Sequence, residues 1–237
     1  MQPPCKRQMI VQAGLGAPLY VNRMKPTIAL FRHHPECSNQ CCDGMIKALS
    51  PKYQFKLFDV GEINNETLNG VDIVAFPGGI GDSNKYYDLF RKSGSNMVAD
   101  FVVRGGRYLG ICMGAYWAGS HYFDVMENVD AVQYIKRPNA DIRRSYSTVA
   151  SVNWLGGNHS MFFYDGCSLI GDETKFDTIA RYTNGDPMAI IQGRIGLIGC
   201  HPESEKFWYD KKYLQSYWHN EDHHKLLLEF VDDLMSR

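Results

Sequence analysis

The sequence has no apolar run approaching the ~18 residues that span a bilayer. It has almost no net charge: 25 Lys and Arg against 26 Asp and Glu leave −1. That balance argues against a global attraction to nucleic acid or to an anionic membrane surface. There is no internal repeat and no low-complexity tract, which excludes solenoid and collagen-like architectures. No secretory leader is expected either. Lys6 and Arg7 precede only a weak apolar stretch, Met9 to Ala13, interrupted by Gln12 and followed by Gly14 and Gly16. Residues 1–25 therefore read as a loosely attached extension, and residues 26–237 as one domain.

What is present is an ordinary globular composition, 44% hydrophobic and 22% charged over 237 residues, enough chain for a sizeable core. Cysteine is plentiful. Cys5, Cys37, Cys41, Cys42, Cys112, Cys167 and Cys200 make seven. An odd number in a chain of this size does not form a disulfide framework, so the expectation is free thiols in a reducing, cytoplasmic compartment.

From Thr27 the chain alternates strand and helix signals. Thr27–Phe31 is a short apolar, β-rich run, Tyr53–Phe58 alternates as a strand, Val71–Phe76 reads as a buried strand ending at Pro77-Gly78-Gly79, and Arg107–Ile111 is the next strand. Ser38–Leu49 and Met97–Val103 have helical spacing, and a further helix begins near Gly114. This order predicts a flavodoxin-like three-layer α/β sandwich around a mostly parallel sheet. The second half differs. Short runs at 147–154, 160–164, 178–182, 188–192 and 194–199, punctuated by Gly156-Gly157 and Asn184-Gly185-Asp186, predict hairpins added to that sheet. From Glu221 onward Leu226, Leu227, Phe230, Val231, Leu234 and Met235 form an apolar stripe, a helix laid on the core. His223 and His224 are assigned to its solvated face.

Three strand ends carry chemistry. Gly110-Ile111-Cys112-Met113-Gly114 has the form of a nucleophile elbow with Cys in place of Ser. A nucleophile on a sharp strand-to-helix turn needs small neighbours, and the helix start directs N–H groups toward the thiolate. His201-Pro202-Glu203 offers a base and an orienting acid two residues apart, on one side of an extended segment. Pro77-Gly78-Gly79-Ile80-Gly81-Asp82 allows close backbone approach to a substrate oxygen; with the Met113 N–H it forms a candidate oxyanion hole, Asp82 standing at its rim. With this composition, a Gly-x-Cys-x-Gly arises by chance roughly 0.06 times in the chain and a His-Pro-Glu roughly 0.01 times.

These pieces, with Phe76-Pro77-Gly78-Gly79, Gly105 to Tyr116, Gly156-Gly157, Ala180-Arg181-Tyr182 and Gly199 to Glu203, resemble the class I glutamine amidotransferase-like superfamily. The resemblance is closest to the biotin-protein ligase N-terminal domain family. It implies Cys112 as nucleophile, His201 as base and Glu203 as its orienter. It implies a glutaminase-like amide hydrolase working through a thioester, with no cofactor, acting on a small-molecule amide and supplying ammonia to a separate synthase or ligase. Two positions depart from relatives. Tyr116 stands where glutamine amidotransferases carry a Gln that helps hold glutamine, and Met113 stands where the protease branch has His. A ligand-binding or regulatory module without turnover is the alternative, and a cysteine peptidase or amidase on another substrate is a third.

Three further features of the sequence stand out. His33, His34, Cys37, Cys41 and Cys42 offer soft ligands but lack the second ligand pair of a zinc knuckle, so they read as a substrate-lining loop rather than a metal site. Lys136, Arg137, Arg143 and Arg144 form a basic loop, a weak anion-site candidate. Trp208, Tyr209, Tyr213, Tyr217 and Trp218 are aromatic residues for the core, a partner surface or a wall beside His201.

Overall fold

In the computed structural model, residues 25–34, 37–79, 82–90 and 96–237 are described. The expected extension over residues 1–25 lies outside them except for Lys25. Eleven strands are found among the described residues: β1 Thr27–Phe31, β2 Gln54–Phe58, β3 Ile73–Phe76, β4 Arg107–Ile111, β5 Val129–Gln133, β6 Thr148–Trp154, β7 Gly157–Phe163, β8 Cys167–Gly171, β9 Asp177–Tyr182, β10 Pro187–Gln192 and β11 Ile195–Ile198. The helices are α1 Asn39–Leu49, α2 Asn65–Leu68, α3 Tyr86–Phe90, α4 Asn96–Val103, α5 Met113–Trp117 and α6 Asp222–Ser236.

The nine-stranded sheet runs β2-β1-β3-β4-β11-β10-β9-β6-β7. Its first five strands are parallel, in the order expected of a flavodoxin-like sheet with β11 as the fifth strand. From β11 outward every pairing is antiparallel, which gives the hairpin extension expected from the second half. Parallel strands covered on both faces are apolar throughout, and β3 and β11 are buried at every residue. The sequence reading did not anticipate the small antiparallel sheet of β5 and β8. No helix among the described residues is long and apolar enough to cross a membrane.

An aromatic cluster holds the carboxyl ends of the parallel strands. Phe76 packs against Phe123 with ring centroids 4.6 Å apart and against Phe31 at 5.4 Å. Phe90 and Trp117 close the cluster at 5.5 Å. Burial of each such ring is worth a few kcal/mol, about 2–3 at typical transfer values. The candidate-site strand ends thus rest on a closely packed aromatic floor. On the opposite sheet face, α6 buries Leu227, Phe230, Val231 and Leu234. Gly196 makes room for it, since a Cβ there would stand 2.8 Å from the Phe230 ring. The Arg107 guanidinium donates to the carbonyls of Leu234, Met235 and Arg237, satisfying orphan groups at the helix end.

The N-terminal end of α6 corrects the sequence reading. His223 and His224 are buried, not on a solvated face. His224 Nε2 lies 3.0 Å from the Ser204 carbonyl, and the His223 ring packs on His219 at 3.8 Å and near His159 at 5.9 Å. Burial, and then the neighbouring histidines, push His219 down to about 4 and His223 to about 3. Unfolded histidine titrates near 6.5. The unfolded chain therefore takes up these protons first. Their contribution is whole above pH 6.5 and is lost as pH falls toward 4 and then 3. Each histidine costs at most about 1.4 kcal/mol per pH unit in that window, less for partly exposed His219. Urea unfolding at pH 7 and pH 5 should show His223→Gln losing less stability than wild type on acidification; an equal loss would contradict this assignment.

Candidate active site

The elbow is built as its glycines require. Cys112 lies between β4 and α5 at φ 51°, ψ −105°, a conformation that L side chains avoid at a cost of about 1–3 kcal/mol. Its surroundings hold it there. Cys112 N–H donates to the Ile198 carbonyl of β11 at 2.8 Å, and its own carbonyl accepts from Ala115 N–H at 2.9 Å. The Tyr108 hydroxyl, buried beneath the turn, donates to the Gly114 carbonyl at 2.6 Å. A Cβ on Gly110 would stand 2.4 Å from the Gly114 oxygen, and one on Gly114 would stand 2.0 Å from the Phe76 oxygen. The thiol is largely covered, with Sγ 3.9 Å from the Tyr164 carbonyl.

His201 and Glu203 follow β11, the strand next to β4. Parallel pairing of β4 with β11, Ile111 opposite Ile198, brings the two segments together at the carboxyl edge, where α/β sheets bind ligands. His201 Nδ1 is 2.9 Å from Glu203 Oε1. Glu203 is fully buried and its Oε2 has no partner. Burial alone lowers the His201 pKa. The Glu203 carboxylate and then Cys112, by charge and by hydrogen bonding, outweigh burial and hold the imidazole well above its ordinary value. Phe162 and Trp208 stand edge-on to the ring at 6.1 and 5.6 Å. Of the aromatic segment, Trp208 thus packs on His201 and Tyr209 packs on Phe162, whereas Tyr213 and Tyr217 are exposed.

A cleft of about 920 Å³ opens above the thiol. Gly79, Asp82, Cys112, Met113 and Tyr116 line it. Gly78 sits behind it, where a Cβ would meet the His201 ring at 2.7 Å. Ile80 and Gly81 lie outside the described residues. Asp82 acts locally as a cap, accepting from Asn84 N–H at 2.9 Å. The Tyr116 hydroxyl is buried without a partner, and burial first, then nearby cysteines and Asp165, hold it protonated. The far wall consists of Gln133 from β5, Lys136 and Arg137 after it, and Tyr164-Asp165 before β8; of these the sequence reading singles out only Lys136 and Arg137, as a basic loop. Gln133 Nε2 donates to both Asp165 oxygens, at 3.0 and 2.9 Å.

The remaining candidates divide. Of the basic loop, Lys136 and Arg137 reach the cleft, but Arg137 is paired with Asp186 at 2.7 Å. Arg143 Nη1 donates to the Arg137 carbonyl, and Arg144 stacks over Tyr146, so neither is among the cleft-lining residues. The His33 to Cys42 cluster separates into three. His33 pairs with Asp59, and Cys37 and Cys42 face one another with sulfurs 3.6 Å apart. Cys41 alone turns to the candidate site, its Sγ 4.0 Å from His201 Nδ1. Every described cysteine is a free, buried thiol, as expected.

A solved glutamine amidotransferase structure aligns with 89% of this chain and 99% of its own, at 20% identity and a TM-score of 0.60. This is a glutamine amidotransferase-like fold. The glutamine amidotransferase-like fold recurs in a glutamine amidotransferase from Thermotoga maritima, at 12% identity and TM-score 0.66 over 90% of this chain and 100% of that one. It recurs again in PurLQS from Thermotoga maritima, at 14% identity and TM-score 0.62 over 89% and 100%. Residues 33–134 match the family model described as Biotin-protein ligase, N terminal. That span contains Gly78, Gly79, Asp82, Cys112, Met113 and Tyr116 and stops short of His201 and Glu203. No curated protein matches the chain.

Proposed function

We propose that residues 26–237 form one cysteine-dependent amide hydrolase domain of the glutamine amidotransferase type. The observation that carries the proposal is a strained cysteine at the elbow beside a buried His201–Glu203 pair. In this reading His201 takes the Cys112 proton and the sulfur attacks the amide carbonyl. Backbone N–H groups at Gly79 and Met113 hold the oxyanion. The C–N bond breaks as His201 returns the proton to the leaving nitrogen, and ammonia departs. Water, deprotonated by His201, then releases the acid from the thioester. Glu203 keeps the imidazole oriented throughout. The reading calls for no cofactor. A cytoplasmic partner that consumes ammonia is the natural context for such a reaction; the similarity to PurLQS supports only the presence of a separate partner.

A second reading, a ligand-binding or regulatory module without turnover, draws on Tyr116. Its partnerless hydroxyl occupies the position at which the resemblance implies a glutamine-holding Gln. Glu203→Gln, which keeps shape and removes charge, separates the two. A hydrolase should lose about 10²–10⁴ in kcat for ammonia release with KM changed much less. A binding module would release no ammonia in wild type and would keep its ligand affinity in the variant. Undiminished turnover in Glu203→Gln would contradict the proposed role.

A further inference from the structure

The third side chain at the His201 ring is Cys41, which the reaction above does not use. Its Sγ lies 4.0 Å from the same Nδ1 that is 2.9 Å from Glu203 Oε1. Sulfur, ring nitrogen and carboxylate oxygen all fall within 4.8 Å of one another, and all three residues are buried. A second observation concerns the same carboxylate: the fully buried Glu203 has an oxygen, Oε2, with no hydrogen-bond partner. Gly78 borders this space, since a Cβ there would stand 2.9 Å from the Cys41 sulfur. Thiolate, imidazole and carboxylate make up a zinc donor set. Around a tetrahedral zinc ion such donors sit about 3.3–3.7 Å apart, so shifts of under about 1 Å would assemble them. Two anionic ligands also neutralise a divalent cation.

We propose that Cys41, His201 and Glu203 form a binding site for a thiophilic divalent cation, zinc in the first instance, whose occupancy silences Cys112. On binding, the Cys41 thiol gives up its proton to solvent, as does His201 if it is charged. The metal takes Nδ1 and displaces its hydrogen bond to Glu203. The remaining ring proton is then confined to Nε2, the nitrogen left for Cys112, so the ring cannot accept the Cys112 proton. This consequence rests on the proposed base role of His201; the site itself does not. Three protein ligands with an open fourth position is the ligand count of reactive rather than structural zinc sites.

The test uses cobalt as an optical probe and zinc as inhibitor on the full chain. Cobalt should produce a thiolate-to-metal absorption band in wild type and in Cys112→Ala, and none in Cys41→Ser or Cys41→Ala. Zinc should slow Cys112 alkylation about tenfold or more in wild type, while in Cys41→Ser the ratio of rates with and without zinc returns to about one. No band in wild type would overturn the site. So would a band that survives in both Cys41 variants and vanishes in Cys112→Ala. A Cys41-dependent band in a protein whose Cys112 alkylation ignores His201→Ala would support the site while removing the catalytic reading.

Discussion

Cys112→Ala should abolish ammonia release from the amide substrate, a loss of about 10⁴ or more in kcat, while leaving the protein folded. The covalent route has no substitute here. Cys41, the other thiol at His201, lies within a regular helix, and burial pushes it up to about 11, so it stays protonated at neutral pH. Loss of Cys112 removes one small, covered side chain and leaves every backbone bond of the elbow in place. Unfolding free energy should therefore change by no more than about 1–2 kcal/mol. Urea titration beside an ammonia assay checks both halves. Retained turnover would remove Cys112 from the mechanism, and an unfolded variant would make it a structural thiol.

Gly114→Ala should do the reverse, damaging the fold itself. The new Cβ would stand 2.0 Å from the Phe76 oxygen, 2.7 Å from its carbonyl carbon and 2.9 Å from its Cβ. These belong to the last residue of β3, whose ring is locked in the aromatic cluster, so nothing flexible can yield. Either α5 lifts off the sheet or β3 shifts. The expected cost is about 3 kcal/mol or more, with loss of the elbow geometry. Gly61→Ala is the control, because no atom lies within 4 Å of its added Cβ; it should stay within about 0.5 kcal/mol of wild type. Equal urea midpoints for Gly114→Ala and wild type would show that the turn tolerates a side chain.

Much of the parallel half could be read in the sequence, because its signals are local. The buried strands β1, β3 and β4 are continuous apolar runs, and the glycines around Cys112 are spaced as a strained turn requires. The His201–Glu203 pair lies within three residues. What escaped notice depends on distant pairing. β5 and β8 are five-residue strands separated by more than thirty positions, and each carries only three apolar residues, too short a run to read alone. Gln133 and Asp165 of the cleft wall, and the contact between them, go unread with those strands. Cys41 and His201 are 160 residues apart, and only the packing of α1 against the segment after β11 joins them. Gly44 marks that packing, since a Cβ there would stand 2.3 Å from the Glu203 carbonyl oxygen. His223 and His224 were misplaced because charge and polarity suggested solvent, whereas tertiary packing buries them against His219 and Ser204.

The central claim is that Cys112 is a nucleophile made reactive by His201. The most direct measurement is covalent labelling of Cys112 by a glutamine-mimicking diazo-ketone, followed by mass spectrometry on wild type and His201→Ala, with and without competing glutamine. The expected result is a single adduct on Cys112 in wild type, slowed by about 10² or more in His201→Ala and blocked by glutamine. An unlabelled Cys112, or equal labelling in the two proteins, would contradict the claim.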